Sequence, residues 1–245
     1  MCGIAGILSP DEEALNFISK MNKIQHHRGP DGHGVWREQK VAIGHVRLAI
    51  LDLSKAGHQP FISRDLRYIL TYNGEIYNYL ELQSELEELG HTFISSCDTE
   101  VLLNAYIEWG SNCLKRFNGM WAFAIWDTEK KEFFCARDHF GIKPFYYFNQ
   151  NGHFAFASEA KALALNPIIK LEPNDRVIAD YLAFAMVDHS EDTFFKDIYQ
   201  LPAAHHMTFK DGLLKVEKWW DLDPSSQSDE HFDEKKIECL SLLRK

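Results

Sequence analysis

Apolar runs separated by glycine, proline and polar residues divide the start of the chain into one short strand and one helix. Residues 3–8 are an apolar run with two glycines, which predicts a buried strand that other backbone approaches closely. Residues 10–25 carry apolar side chains at helical spacing. Ser9, Pro10 and Glu12 are typical of a helix start, with Ser9 as the cap.

A second group of elements surrounds an Asn-Gly dipeptide. Residues 41–52 predict a strand, or a strand pair with a bulge, and residues 66–72 predict another strand. Asn-Gly after a strand usually forms a tight turn. Because residues 76–89 have helical character, we place Asn73 and Gly74 at a strand-to-helix corner, where backbone N–H groups are exposed.

The middle of the chain predicts aromatic-rich strands after a second helix at about residues 99–109. The strand candidates are residues 120–127, 132–137, 145–149 and 153–157. A short helix follows at residues 159–165. These segments together supply enough alternating and apolar positions for a sizeable core.

The last third has a weaker pattern. A strand pair near residues 205–217 turns at residues 210–212, and polar residues 221–228 are typical of a linker. Residues 231–245 predict a helix with an apolar stripe, which needs a partner surface. Either this helix docks back on the chain, or its partner follows beyond residue 245.

Composition narrows the function classes. The chain has 245 residues, of which 45% are hydrophobic and 25% charged, as in ordinary globular proteins. Its net charge of −10 and the lack of a long Lys/Arg run disfavour nucleic-acid and anionic-membrane partners. No 18-residue apolar run or signal-peptide pattern is present, so we expect no membrane association.

The cysteines and histidines favour neither a metal nor a disulfide framework. The five cysteines are scattered without a C-x-x-C pair, and the twelve histidines include two adjacent pairs that lack metal-ligand spacing. We therefore expect no metal site and a reduced, cytoplasmic setting.

The second residue carries the most suggestive chemistry. If Met1 is removed, Cys2 has a thiol and a free α-amine whose ordinary pKa is about 7.7–8.0. One residue then supplies a nucleophile and a general base. The alternative from this residue alone, and the commoner case, is a buried structural cysteine at the start of a strand.

Other polar residues leave two interpretations open. Arg47 within an apolar stretch either forms an ion pair in the core or faces a cleft. Asp98 is either a functional carboxylate or the N-cap of the second helix. The loop at residues 26–34 is either functional or a solvated turn. Hydrolysis of an α-amino-acid amide needs a thiolate, oxyanion donors, a guanidinium and carboxylates, all of which the chain contains.

Eight sequence blocks resemble the glutaminase domain of the glutamine-dependent asparagine synthetases, in order and at matching spacing. They are CGIAG, HHRGPDG, HVRLAILDLSKAGHQP, YNGEIYNY, SSCDTEVLL, GMWAFAIWD, ARDHFGIKPFYY and FASEAKAL. The resemblance is dense from residue 2 to about 165 and looser over residues 166–223. Amidotransferases that make phosphoribosylamine or glucosamine phosphate share the terminal cysteine and the Asn-Gly pair, but not HHRGPDG, NGEIYN and DHFGIKP as a set.

The resemblance implies an α+β fold, the four-layer αββα sandwich of N-terminal-nucleophile hydrolases, with two packed, mainly antiparallel sheets. Residues 2–223 would be the glutaminase domain. Residues 224–245 would be a linker and the first helix of an ATP-dependent synthetase domain that the sequence does not contain. Glutamine hydrolysis would need no cofactor, and ATP and Mg are implied only for that absent domain. The sequence leaves a homodimer open.

The resemblance also implies the catalytic roles. Cys2 would attack the glutamine amide with its own α-amine as base, and the Asn73 amide and the Gly74 N–H would form the oxyanion hole. The products would be a glutamyl thioester and ammonia, after which water would release glutamate.

The resemblance implies the substrate-binding residues as well. Arg47 would bind the α-carboxylate of glutamine, and Glu75 and Asp98 would hold its α-ammonium. A backbone strand would line the pocket, formed by Leu48, Ala49, Ile50 and Leu51.

Two departures from the family pattern stand out. Cys97 replaces a commoner serine and His139 a frequent arginine, and we expect neither to touch a catalytic residue. Two alternative functions remain open at this point. One is an amidotransferase of the same family that acts on a sugar or peptide, and the other is a non-catalytic glutamine-binding module.

Overall fold

The computed structural model describes residues 1–50, 52–223 and 232–242. The strands are β1 (Gly3–Leu8), β2 (Gly32–Glu38), β3 (Val41–Arg47), β4 (Phe61–Ile62), β5 (Tyr68–Ile76), β6 (Gly119–Asp127), β7 (Glu132–Arg137), β8 (Tyr146–Gln150), β9 (His153–Ala157), β10 (Ile198–Gln200), β11 (His205–Lys210) and β12 (Leu213–Lys218). The α-helices are α1 (Glu12–Asn16), α2 (Ile18–Ile24), α3 (Tyr79–Glu88), α4 (Asp98–Trp109), α5 (Ala160–Leu163), α6 (Asp175–Phe184) and α7 (Phe232–Leu242).

The strands form two antiparallel sheets of six strands each. The first has the order β10-β8-β9-β1-β3-β2, and the second has the order β12-β11-β7-β6-β5-β4. The first strand of the chain lies in the interior of its sheet, between β9 and β3. The residue that precedes it, Cys2, is therefore held at the end of a strand that is paired on both sides.

Three apolar clusters lie between the four layers of the described structure. The central cluster joins the inner faces of the sheets, with Ile4 and Ile43 from the first facing Ala122 and Trp126 from the second. Helices α1, α2 and α5 cover the outer face of the first sheet, and α3 and α4 cover the outer face of the second. The αββα sandwich and the α+β class are therefore confirmed.

The prediction of one continuous helix over residues 10–25 with Ser9 as its cap is wrong. The chain forms α1 and α2, which meet at Phe17, and the N-cap of α1 is Asp11, whose Oδ1 accepts from the Glu13 N–H at 2.9 Å. Ser9 instead accepts from the Asp11 N–H at 2.9 Å and bonds the His153 ring. Its hydroxyl is thus used to fix the turn before the helix.

The sequence predicted a strand-to-helix corner at the Asn-Gly dipeptide, and this prediction is wrong. β5 continues through it to Ile76, with Asn73 opposite Ala122 and Gly74 opposite Trp121 in β6. A Cβ atom at Gly74 would lie 2.7 Å from the Trp121 Cα, so glycine permits this close pairing of strands. The long partner strand thus overrides the local turn preference, and the helix starts only at Tyr79.

The strand predicted over residues 41–52 ends early, at Arg47. Its two neighbours stop at the same level, because Val46 pairs with Gly3 at the start of β1 and Arg47 with Gly32 at the start of β2. Residues 48–50 therefore have no strand to pair with. The expected pocket strand over residues 48–51 is irregular backbone at residues 48–50, and Leu51 lies outside the described residues.

The aromatic-rich strand candidates and the hairpin at residues 205–217 are confirmed. Helix α6 and the short strand β10 were not predicted. Helix α7 exposes Ile237 and Leu240, so the described part of this helix does not dock back on the chain. The linker predicted at residues 221–228 lies outside the described residues from residue 224 onward.

No helix within the described ranges is long and apolar enough to cross a membrane.

Candidate functional site

The ends of β1 and β3, the open edge of β5 and the start of α4 meet around one pocket. Of the residues that the sequence singled out, those lining it are Cys2, Arg47, Leu48, Ile50, Asn73, Gly74, Glu75 and Asp98. Ala49 lies beside the pocket, and its N–H donates to Asp31 Oδ2 at 2.9 Å. Residues far apart in sequence are thus gathered by the two sheets.

The Cys2 thiol lies against the irregular backbone after β3. The Leu48 N–H donates to Cys2 Sγ at 3.4 Å, and the thiol donates to the Leu48 carbonyl at 3.6 Å. Burial raises the pKa of Cys2, while the Leu48 N–H, the N-terminal ammonium and Arg47 oppose this rise in pKa. The thiol is therefore protonated near neutral pH, and its attack on a substrate needs a base.

Met1 precedes Cys2 in this structure and is 57% exposed at the mouth of the pocket. The α-nitrogen of Cys2 is consequently an amide nitrogen, which has no basic lone pair. Removal of Met1 would convert it into an amine within the same residue as the thiol.

The segment predicted as a loop at residues 26–34 is partly regular, because residues 26–28 form a 3₁₀ turn and β2 begins at Gly32. The segment supports the nucleophile, which decides between its two interpretations. Arg28 Nε donates to the Cys2 carbonyl at 3.0 Å, and Arg28 is anchored in turn by Glu159 at 3.1 Å. Asp31 holds the backbone at Ala49. The segment therefore positions both walls of the pocket and is not a solvated turn.

Arg47 faces the cleft and forms none of the ion pairs seen in the described residues. Its guanidinium donates to the backbone carbonyls of Ser54, at 2.8 Å, and Asp52. Gly57 packs against it so closely that a Cβ there would lie 2.5 Å from Nη2. The core ion-pair interpretation of Arg47 is therefore wrong.

Asn73 presents an unused donor to the pocket. Its side chain is 1% exposed, and Nδ2 is buried with no hydrogen-bond partner among the described residues. Buried amides are nearly always satisfied, so an unpartnered donor at a pocket wall indicates a group that binds an acceptor.

Gly74 presents a second donor through the geometry of the strand. The N–H groups of Tyr72 and Ile76 point away from β6, to Gln59 Oε1 at 2.7 Å and Asp98 Oδ2 at 3.0 Å. Because backbone direction repeats every two residues, the Gly74 N–H between them points to the same open edge. Asn73 and Gly74 thus supply adjacent donors from a side chain and from the backbone.

Asp98 is the first residue of α4, but it does not cap that helix. The N-cap position belongs to Cys97. The Asp98 carboxylate instead accepts from the Tyr72 hydroxyl at 2.7 Å and from the Ile76 N–H. Burial raises the pKa of Asp98, these two hydrogen bonds oppose the rise, and the charge of Glu75 adds to it. The N-cap interpretation is therefore wrong, and a buried carboxylate faces the pocket without an ionic partner in the described part of the chain.

Sequence reasoning missed several residues of this pocket. Lys143 is 5% exposed at its wall, and burial lowers the pKa of its ammonium while the charge of Glu75 opposes that change. A lysine among apolar residues in the block ARDHFGIKPFYY was the available signal. Cys97, which the sequence marked only as a departure from the family pattern, also lines the pocket. Other lining residues that carried no sequence signal are Gln59, Tyr72, Thr99 and Met120.

No cluster of histidine, cysteine and carboxylate residues within the described ranges is suited to hold a metal ion.

Two relatives illustrate what the chain resembles. It is 34% identical to "Asparagine synthetase [glutamine-hydrolyzing] 3" of Bacillus subtilis over 100% of this chain and 40% of that protein. It is 40% identical to "Putative asparagine synthetase [glutamine-hydrolyzing] 2" of Methanocaldococcus jannaschii over 91% of this chain and 47% of that protein. The chain thus spans less than half the length of both relatives.

The fold also matches a solved structure. The glutamine phosphoribosylpyrophosphate amidotransferase of B. subtilis, solved with ADP and GMP, superposes with a TM-score of 0.67 over 89% of this chain and 49% of that one. At 21% identity this likeness concerns the fold alone. Residues 1–220 match the family model described as the glutamine amidotransferase domain. The chain therefore belongs to the glutamine amidotransferase domain family.

Proposed function

We propose that residues 2–223 are the glutaminase half of an asparagine synthetase, which hydrolyses glutamine to glutamate and ammonia. The observation that carries this proposal is the meeting of Cys2 Sγ, the unpartnered Asn73 Nδ2 and the Asp98 carboxylate in one pocket. These groups suit the amide, the oxyanion and the ammonium of a single glutamine molecule.

The first half of the reaction forms a thioester. Once Met1 is removed, the Cys2 α-amine takes the thiol proton, and Sγ attacks the side-chain amide carbon of glutamine. The tetrahedral oxyanion accepts hydrogen bonds from Asn73 Nδ2 and the Gly74 N–H. The protonated amine then gives its proton to the leaving nitrogen, so that the C–N bond breaks and ammonia departs.

The second half hydrolyses the thioester. The Cys2 amine accepts a proton from water as the water oxygen attacks the same carbon, and the same two donors stabilise the second oxyanion. Collapse breaks the C–S bond, returns a proton to sulfur and releases glutamate. The cycle needs no cofactor.

Recognition of the α-amino-acid end uses opposite charges. Arg47 binds the α-carboxylate, and Glu75 with Asp98 binds the α-ammonium. The absence of an ionic partner for Asp98 in the described residues supports this role, because a buried carboxylate is costly until a cation joins it. Leu48 and Ile50 line the pocket beside these charged groups.

The whole protein is proposed to pass the ammonia to an ATP-dependent synthetase domain that converts aspartate to asparagine, with Mg as the ATP partner. The names of the two relatives and their greater length support this acceptor. Residues 224–245 would be the linker and first helix of that domain. A reduced cytoplasm is the proposed compartment because the nucleophile must be a free thiol. A homodimer stays a prediction.

The test replaces each of the two pocket thiols in turn. After mass spectrometry has established that Met1 is absent, Cys2→Ala is expected to abolish glutamate release from glutamine, whereas Cys97→Ser retains it. Glutamate release that persists in Cys2→Ala would refute the nucleophile. A wild-type protein with a free Cys2 amine that binds glutamine but releases no glutamate would instead be a binding module.

A further inference from the structure

We propose that His45 is a positioning residue for the oxyanion hole, because it holds the backbone of Tyr72 at the open edge of β5 from across the two sheets. This inference rests on the roles proposed above for Asn73 and Gly74. His45 lies in β3 and touches neither of them directly through a hydrogen bond in the described structure.

Tyr72 lies where its strand has lost its neighbour. β4 pairs with β5 only at Leu70 and Ile69, so Tyr72 has no strand beyond its open edge. Its carbonyl accepts instead from His45 Nε2 at 3.1 Å, and its N–H donates to Gln59 Oε1 at 2.7 Å. Two side chains thus replace the missing strand at this residue.

The Tyr72 carbonyl belongs to the peptide bond that leads directly into the two residues of the proposed oxyanion hole. This carbonyl and the Asn73 N–H belong to one rigid peptide plane. Fixing the carbonyl therefore fixes the direction from which the Asn73 side chain and the Gly74 N–H leave the strand. A donor displaced by about 1 Å from the oxyanion loses much of its effect on the rate.

The His45 imidazole can bond to the Tyr72 carbonyl only as a donor. His45 is fully buried, and burial lowers its pKa to about 3, so the ring is neutral and carries one N–H. Because a carbonyl can only accept, that proton is on Nε2. Nδ1 is left buried without a partner among the described residues, which an aliphatic side chain would avoid. The hydrogen bond to Tyr72, rather than packing, therefore accounts for a histidine here.

The same side chain links the nucleophile to the oxyanion hole. His45 pairs with Ile4 in β1, two residues after Cys2, and precedes Arg47 by two residues in β3. Its bond to Tyr72 crosses to the other sheet. The distance between the sheets at the pocket is thus held by a hydrogen bond next to the reacting groups.

Thr71 offers a matched control. Its hydroxyl donates to the Gly44 carbonyl at 3.1 Å, which is a second buried bond between the same two strands. Thr71 and Gly44 are the immediate neighbours of Tyr72 and His45 in the sequence. Thr71→Val removes a bond between the sheets but leaves the Tyr72 carbonyl held.

The experiment compares His45→Leu, His45→Asn, His45→Gln and Thr71→Val in protein with Met1 removed. Glutamate release is measured against glutamine concentration and divided by the fraction of Cys2 that iodoacetamide alkylates. His45→Leu and His45→Asn, whose amide is too short to reach Tyr72, should lower kcat about 10- to 100-fold with little change in KM. His45→Gln places an N–H where Nε2 was and restores most of kcat, and Thr71→Val keeps it.

Three results would overturn the proposal: normal kcat in His45→Asn, no rescue by His45→Gln, or an equal loss in Thr71→Val. Amide hydrogen exchange at Asn73 separates this inference from the proposed function. Faster exchange in His45→Asn than in Thr71→Val supports the hold on the peptide even if no variant releases glutamate. Equal exchange in the two variants refutes it.

Discussion

The substitution Asp98→Asn tests whether Asp98 binds the α-ammonium of the substrate or only stabilises the fold. It keeps the shape of the side chain and removes its charge. The carboxylate accepts two hydrogen bonds, from the Tyr72 hydroxyl and the Ile76 N–H. Asparagine can accept with one oxygen only. Both bonds are made to Oδ2, so an asparagine oxygen in the same position keeps both, and the variant loses the charged partner proposed for the substrate.

The expected effect on binding follows from the energy of one charged hydrogen bond. Such a bond contributes about 1.5–3 kcal/mol, and 1.36 kcal/mol corresponds to a factor of ten. KM for glutamine should thus rise about 10- to 150-fold, with Glu75 left as the remaining carboxylate. kcat should change much less, because the α-ammonium is held equally in the ground and transition states.

The expected effect on stability is small because two contributions oppose each other. Burial raises the pKa of Asp98 above 3.8, so the folded state binds more protons than the unfolded state between 3.8 and that raised pKa. Stability conferred by this group is therefore lost as pH rises through the window, and the ionised carboxylate is a net cost above it. Asparagine removes this cost, which offsets the weakening of the two hydrogen bonds when their acceptor loses its charge.

The assay is ammonia release over a range of substrate concentrations, paired with thermal unfolding. 4-Carbamoylbutyrate, which is glutamine without its α-ammonium, is the matched substrate, and its KM should not respond to Asp98→Asn. Tyr72→Phe is the matched variant, because it removes a donor to Asp98 but keeps the charge, and KM should rise less. A lower melting temperature with an unchanged KM for glutamine would refute the ammonium role.

Two further predictions concern the nucleophile. An uncleavable extension before Cys2 should abolish glutamate release, because the α-amine is then an amide and the base is lost. Iodoacetamide should still alkylate the thiol. An active extended protein would exclude the α-amine as base. Because burial raises the pKa of Cys2 above 9.0, its alkylation rate in the form with Met1 attached should still climb as pH rises past 9. Alkylation followed by peptide mass mapping between pH 7 and 10 checks this, and a plateau near pH 7 would contradict a raised thiol pKa.

The residue types needed for amide hydrolysis were identifiable without the fold. A cysteine directly after Met1 can bring nucleophile and base together in one residue, whatever surrounds it. Strands with long apolar or aromatic runs were also predictable, because period and residue type are local properties. The confirmed strands β6, β7, β8 and β9 are of this kind.

The path of the backbone at the site depended on distant partners. Asn73 and Gly74 have a strong local preference for a turn, but pairing with β6 holds them in an extended strand. Arg47 ends its strand because both neighbouring strands begin there, about 40 residues away for β1 and 15 for β2. Neither partner is visible in a local window, so propensity alone mislocated both elements.

The sequence by itself determined the chemical inventory, the main strands and the family resemblance, because these depend on residue identity and order. Only the tertiary structure decided that the Asp98 carboxylate bonds to Tyr72 and Ile76, that Asn73 Nδ2 has no partner among the described residues, and that Lys143 lies in the pocket wall. Burial, hydrogen-bond partners and pKa arise from neighbours brought together by the packing of the two sheets. Those neighbours convert a cysteine, an amide and a carboxylate into one site.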